Sequence, residues 1–253
     1  MRELERNLHP HPPGPLPRCA VVGAGRLGVA LCAALRAAGV AVDGPLGRGA
    51  EGRDAEVALL CVPDAEIRAA AGCIAPGRLV GHCSGASGLE VLAPHEAFSL
   101  HPLMTVTHDG AAFAGAGAAV AGTTARARAT GTALAERLGL RPVAVAEEDR
   151  ALYHAAASLA SNYLLTLEAA AERLAAGAGV ERDALVPLVR ATVENWAAVG
   201  PERALTGPVA RGDETTVRRQ RAAVEERAAD LLPLFDALTE ATRTLAHPVG
   251  AAR

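Results

Sequence analysis

Cys19-Ala-Val-Val-Gly23-Ala24-Gly25-Arg26-Leu27-Gly28, followed by the apolar run 29–38, decides how the first half of this chain folds. Four small or branched apolar residues make a strand, three glycines make a turn, and the run beyond them has the spacing of a helix. A bare GxGxxG carries little information. Between a strand and a helix it reads as the phosphate turn of a dinucleotide-binding α/β domain. Gly23 permits the tight turn, Gly25 lets a pyrophosphate approach the backbone, and Gly28 lets helix and strand pack closely. The helix N-terminus then stabilises the phosphate charge. Residues 23–28 are therefore the candidate cofactor turn, although FAD and S-adenosylmethionine use similar glycine motifs.

Working outward, apolar runs at 19–22, 40–42, 57–62, 79–81 and 97–100 alternate with glycine-rich turns and helical stretches. That alternation predicts βαβ units and a doubly wound parallel sheet. The composition changes near residue 148. Beyond it, alanine- and leucine-rich stretches at 148–176, 182–199 and 214–245 repeat at helical spacing, separated by glycine and proline at 176–180 and 200–213. The expected organisation is a proline-rich arm at 1–17, a Rossmann-type domain at 18–147, and an all-α substrate and dimerisation domain at 148–253.

The second strand bears on the cofactor. An acidic residue at its end binds the ribose 2′-hydroxyl of NAD, and Asp43 lies at about that distance. If the strand runs on past Asp43, Arg48 meets the 2′-phosphate of NADP instead, which is the reading preferred here over NAD. Residues 57–62 are expected as the fourth strand, with Val62 and Pro63 beside the nicotinamide and Asp64 capping a helix at 65–71. His82 and Ser84 end the next strand in the small-residue turn His82-Cys-Ser84-Gly-Ala-Ser87, where Ser84 is a candidate cofactor contact and His82 a candidate substrate contact. Packing beneath the turn is the alternative for both. His101, before Pro102, is a candidate acid or base, or else a structural histidine.

The bulk properties narrow the function. Half the residues are hydrophobic, 21% are charged, and the formal charge is -3, so neither nucleic acid nor an anionic membrane surface is an expected partner. No apolar run reaches the ~20 residues of a membrane helix, and the charged residues 1–6 do not read as a secretory signal. Cys19, Cys32, Cys61, Cys73 and Cys83 are odd in number and contain no CxxC, a pattern of reduced thiols in a cytoplasm and of no metal site. His9 and His11 sit in the proline-rich arm. Every basic residue is arginine. A Schiff-base, P-loop or proton-donating lysine is thereby excluded, and arginine does not replace it in proton transfer.

With these pieces in place, the sequence resembles a family of two-domain proteins that pair a Rossmann-like NADP domain with a helical domain of unknown function, grouped as candidate NADP oxidoreductases. The resemblance rests on the 23–28 turn, Val62-Pro-Asp64, His82–Ala86, Leu100-His-Pro-Leu103, Tyr153–Asn162 and Leu205–Asp213. It implies kinship with pyrroline-5-carboxylate reductase, ketopantoate reductase and the β-hydroxyacid dehydrogenases. It also implies a second domain like the C-terminal domain of 6-phosphogluconate dehydrogenase, which commonly dimerises, so a homodimer is expected. In one respect the chain departs from its kin. β-Hydroxyacid dehydrogenases and ketopantoate reductases carry Lys-x-x-x-Asn on the first long helix of the second domain, whereas this chain reads His154-x-x-x-Ser158-x-x-x-Asn162. These three residues are expected on one helical face, with His154 or His101 as proton donor and Asn162 orienting a carbonyl or hydroxyl. Helix packing is the alternative for that face. Arg211, on the loop before Asp213 (the expected N-cap of the last helix), is the candidate for a substrate carboxylate, with a loop-holding salt bridge as its alternative. The expected function is NADP-dependent hydride transfer to or from a small carbonyl, hydroxy acid or imine. A non-catalytic NADP-binding regulatory protein is the rival, and a methyltransferase stands further off.

Overall fold

The computed structural model describes residues 16–107 and 110–247, so His9, His11 and nearly all of the proline-rich arm lie outside the described residues. The chain divides into two compact units, one ending at Ser161 and the other beginning at Asn162. The expected boundary near 148 followed composition. The compact boundary comes later because Arg150 and Tyr153 make their contacts within the first unit.

In the first unit, β1 (Cys19–Val22) leads into α1 (Arg26–Ala37), β2 (Val42–Leu46) and β3 (Val57–Leu60). Then follow α2 (Ile67–Cys73), β4 (Leu79–His82), β5 (Ala97–Leu103), β6 (Gly117–Gly122), α3 (Ala125–Arg137), β7 (Arg141–Val143) and α4 (Arg150–Ser158). The seven strands form one sheet in the order β2-β1-β3-β4-β5-β6-β7. All neighbours run parallel except β5 and β6, which are antiparallel, so the expected parallel sheet is a mixed one. The stretch at 57–62 is the third strand, not the fourth. Strands β6 and β7 and helix α3 went unread in the sequence.

Because successive residues of a buried strand face opposite sides, the apolar runs fill two cores. Cys19, Val21, Val57 and Leu59 pack with Leu31 and Leu35 of α1 and with Ala127 and Leu134 of α3. Val22, Ala58, Leu60 and Val80 pack with Ile67 and Ala71 of α2. Helices on both faces make the sheet doubly wound. From β1 the chain crosses to β2 on one side and then to β3 on the other, so the sheet reverses direction at β1. The crevice at the carboxyl ends there is the usual ligand position in such sheets.

The second unit contains α5 (Leu164–Gly177), α6 (Arg182–Val199), the single turn α7 (Pro201–Ala204), α8 (Glu214–Arg227) and α9 (Leu232–Ala246). The long helix expected over 214–245 is two helices, broken where Ala228 leaves helical geometry at φ -156°, ψ 55°. Asp213 does cap α8, accepting from the Thr216 amide at 3.0 Å. Exposed ion pairs tie the helices: Arg182 to Glu172, Arg173 to Asp230, Arg221 to Asp236 and Arg243 to Glu214. Among the described residues of this unit, only Val217, Val224 and Ala228 are buried. Between α4 and α5 lies a π-helical turn, Leu159–Tyr163. Among the described residues, no helix is long and apolar enough to cross a membrane.

Candidate functional site

The glycine turn is built as its sequence requires. Gly23 has φ +116°, a region that disfavours side chains, and a Cβ there would overlap the Cys61 carbonyl oxygen. A Cβ on Gly28 would overlap the Gly23 carbonyl, so only glycine lets α1 seat against the turn. Gly25 is the contrast, since nothing lies within 4 Å of the Cβ it lacks. Its backbone faces open space at the N-terminus of α1, where unpaired amides and the helix dipole favour an anion. A cleft of about 410 Å³ opens there, lined by Gly25, Arg26, Leu27, Val62, Asp64 and Ser84, with Cys61, Cys83 and Val106. Gly23, Ala24, Gly28, Pro63 and Arg48 do not line it.

Strand β2 extends beyond Asp43 to Leu46, and Leu46, not Asp43, accepts the Gly23 amide. Asp43 is gripped in two places by Arg18, at 2.7 and 2.6 Å, which holds its carboxyl below the ordinary carboxylate range. Arg48 lies in the loop after the strand. It is 84% exposed and pairs with Glu66 at 2.8 Å. Asp64 does not cap a helix as expected. Its carboxylate accepts from Ser84 Oγ at 2.8 Å, and that hydroxyl in turn accepts from the amides of Ala86 and Ser87. Ser84 thus fixes the turn after β4 to the exit of β3.

His82 is fully buried. Its Nδ1 accepts from the Ser84 amide at 3.2 Å, which leaves the proton on Nε2, facing the Gly88 carbonyl at 3.2 Å. Burial keeps it neutral by lowering its pKa. Both nitrogens are spent on backbone, which corrects the expectation of a substrate contact: His82 holds the turn.

His101 lies one strand over, part-buried. Its Nδ1 meets the Tyr153 hydroxyl at 2.9 Å, and its ring packs edge-on against Tyr153 and against His154, with centroids 5.5 and 6.2 Å apart. Burial, followed by the neighbouring His154 and Arg150, pulls its pKa from 6.5 to about 4. A Cβ on Gly85 would come within 2.8 Å of both the His101 Cε1 and the His154 Cδ2 atoms. The glycine therefore makes room for both rings at the end of β4.

Sequence reasoning missed Arg150 and Tyr153. Arg150 is 4% exposed, yet it donates from NH1 to Ser99 Oγ at 3.2 Å and from NH2 to the Ser84 carbonyl at 3.1 Å. Its Nε finds no hydrogen-bond partner, and the Glu147 carboxylate stands 4.0 Å away. A local signal was present in retrospect: an acidic run, Glu147–Asp149, in front of a lone arginine that opens a helix.

Ser158 shares α4 with His154, but Asn162 lies inside the π-turn. There the winding widens from i→i+4 to i→i+5. Neither Ser158 nor Asn162 makes a side-chain hydrogen bond among the described residues, so neither is tied to backbone. Arg211, in the second unit, is exposed; no side-chain hydrogen bond or ion pair of it is found among the described residues, though its charge helps lower the Asp213 pKa.

No curated protein matches the chain. Among solved structures, it is similar to a candidate NADP oxidoreductase from Bacteroides fragilis (18% identity, TM-score 0.77, covering 90% of this chain and 98% of that one). Protein TM1727 from Thermotoga maritima is similar at 23% identity and TM-score 0.74, with the same coverage. Pyrroline carboxylate reductase from Plasmodium falciparum, solved with NADP bound, aligns at 12% identity and TM-score 0.59, over 92% of this chain and 99% of that one. At such identities the likeness is one of fold. A model described as a Rossmann-like domain matches residues 43–107, within the sheet that carries the cleft. A second model matches residues 116–242, half of the chain, and by it the chain belongs to the family described as Domain of unknown function (DUF2520).

Proposed function

We propose that the protein is an NADP-dependent oxidoreductase acting on a small carbonyl, hydroxy acid or imine. The observation that carries this reading is the open Gly25 backbone on a cleft at the switch point of the sheet, with His101 and His154 beside the neighbouring strand ends. A bound dihydronicotinamide supplies hydride. The residues of the turn fit its pyrophosphate: Gly25 offers an approach with no side chain in the way, and the amides of Arg26 and Leu27 open α1. Val62 and Pro63 leave β3 at the side where the nicotinamide belongs in this fold, and Ser84 closes that wall.

Arg48 takes the 2′-phosphate. With β2 running past Asp43, and Asp43 committed to Arg18, the acid that selects NAD is out of position. The exposed pair with Glu66 is worth little and yields to a dianion. The binding of NADP by a structural neighbour supports the same cofactor. Isothermal titration should give tight NADPH binding that weakens about tenfold in Arg48→Ala, the effect of one lost charge-assisted contact, while NADH binding stays unchanged. If the wild-type protein binds neither nucleotide, the oxidoreductase reading fails.

His101 is the proton donor of this scheme, with His154, Ser158 and Asn162 available to orient the substrate, and Arg211 receives a substrate carboxylate. Substrate Kd unchanged in Arg211→Ala would remove that last role. The protein works as a homodimer in the cytoplasm. The scarcity of buried residues in the helical unit supports the dimer, because its apolar side chains need a partner. One observation favours the non-catalytic alternative, namely Ser158 standing where similar dehydrogenases carry lysine. Oxidation of NADPH by any member of a panel of small 2-oxo acids and cyclic imines separates the two.

A further inference from the structure

Tyr153 has no part in the scheme above, yet its hydroxyl is the closest polar neighbour of the proton donor, 2.9 Å from His101 Nδ1. A phenol O–H is a stronger donor than an imidazole N–H, so the favoured arrangement is O–H···N, with the phenol donating and Nδ1 accepting. Burial favours this tautomer twice over. It keeps His101 neutral, and it raises the Tyr153 pKa so that the hydroxyl keeps its proton, with the Ala119 amide and the Arg150 charge acting in the other direction. The His101 proton then resides on Nε2. That edge of the ring lies over Gly85, where a Cβ would stand 2.9 Å from Nε2. Gly85 directly follows Cys83 and Ser84, which line the cleft.

A neutral imidazole that gives up its Nε2 proton must gain one at Nδ1, or it becomes an unstable imidazolate. We propose that Tyr153 is the positioning residue that recharges His101 during the reaction. The Tyr153 O–H bond breaks as the Nδ1–H bond forms. At the same time the Nε2–H bond breaks as an O–H bond forms on the alkoxide left by hydride addition. The phenolate left behind lies one helical turn from Arg150, whose buried guanidinium has an unused Nε–H and no carboxylate closer than 4.0 Å. Its charge therefore remains available for stabilising a new anion, and this accounts for burying an arginine without a close counterion. Water reprotonates the phenolate after product leaves. The relay supplies the proton that a lysine would otherwise deliver. It rests on the oxidoreductase reading.

The test needs no substrate. Nitrogen-15 correlation spectra of the histidine rings in the full-length protein at neutral pH, with the His101 signals identified by their loss in His101→Gln, report which nitrogen carries the proton. The relay requires a single tautomer in the wild type, protonated on Nε2, and a mixture of tautomers in Tyr153→Phe, which keeps the ring and loses only the hydroxyl. A wild-type Nδ1–H, or spectra unchanged in Tyr153→Phe, would overturn it. The wild-type spectrum decides even if the variant does not fold. Titration of the same samples with NADPH keeps the two readings apart. The expected result is an unchanged Kd in Tyr153→Phe, within about twofold. Binding without the Nε2–H tautomer sinks the relay alone, and no binding by the wild type sinks the oxidoreductase and the relay with it.

Discussion

In the α/β unit, strands such as Cys19–Val22 and Val57–Leu60 are buried along their whole length, whereas α5 and α6, with 14 and 18 residues, contain no buried residue. Both regions are rich in alanine, leucine and valine, so composition does not separate them. What differs is closure. A doubly wound sheet covers its own two faces with helices from the same chain. The helical unit leaves Leu165 at 69%, Leu188 at 65% and Trp196 at 57% exposed, and substitutes exposed arginine–carboxylate pairs for a core. Such pairs stabilise by at most about 1 kcal/mol each, too little to offset the entropy of ordering several helices. The lesson is that the first unit buries its apolar residues within one chain, while the second leaves apolar side chains exposed that the proposed homodimer would cover.

Breaking that second unit should give the largest effect. Leu188 and Trp196 fall on one stripe of α6, eight residues apart. In the proposed homodimer, the double variant Leu188→Asp, Trp196→Asp is expected to shift the dimer to monomer in sedimentation velocity, while leaving the far-ultraviolet spectrum of the sheet in place. A wild type that sediments as a monomer would remove the contrast altogether. In the first unit, Gly23→Ala meets both a left-handed φ and the Cys61 carbonyl. It should cost about 3 kcal/mol in urea unfolding and abolish NADPH binding. A stable, binding variant would mean that the turn is looser than its geometry.

The smallest effect expected is on acidification, and it also belongs to the first unit. Burial lowers the pKa of both His82 and His101, the latter to about 4 from 6.5. Between those values the unfolded chain binds more protons than the folded one, so stability is full above about pH 6.5 and is lost as the pH falls toward 4. The loss should be roughly 2 kcal/mol. It should be smaller in His101→Gln, and it precedes the titration of the lowered carboxylates Asp43, Asp213 and Asp230, which act at lower pH. Chemical denaturation at pH 7, 5.5 and 4.5 measures it.

How much of this was legible depended on whether a residue's neighbours lie near it in sequence. Strands β1, β3 and β4 and the glycine turn were readable because an unbroken apolar run beside glycines carries its own signal. Strand β2 was displaced in the reading because Gly44-Pro45 looks like the end of a strand, and β6 was missed because Gly117-Ala-Ala-Val-Ala-Gly122 is too small-featured to show alternation. The site divides the same way. The Gly25 backbone and the position of His101 could be read locally. The burial of Arg150 could not, since its partners Ser84 and Ser99 lie 66 and 51 residues away. Nor could the π-turn that holds Asn162, because the four-residue spacing assumes regular α-helical winding.

The length of β2 has a consequence for engineering. With the strand carried past Asp43 to Leu46, the acid sits three positions short of the strand's end, and Arg48 follows in the loop beyond it, where the proposed function gives it the 2′-phosphate. Under the proposed function, cofactor choice is then encoded by where a strand stops, not by which residue stands at one position. Exchanging Arg48 alone would weaken one nucleotide without recruiting the other. A change of preference toward NADH would have to shorten the strand and free Asp43 from Arg18, two coupled edits that point substitutions at the loop would never sample.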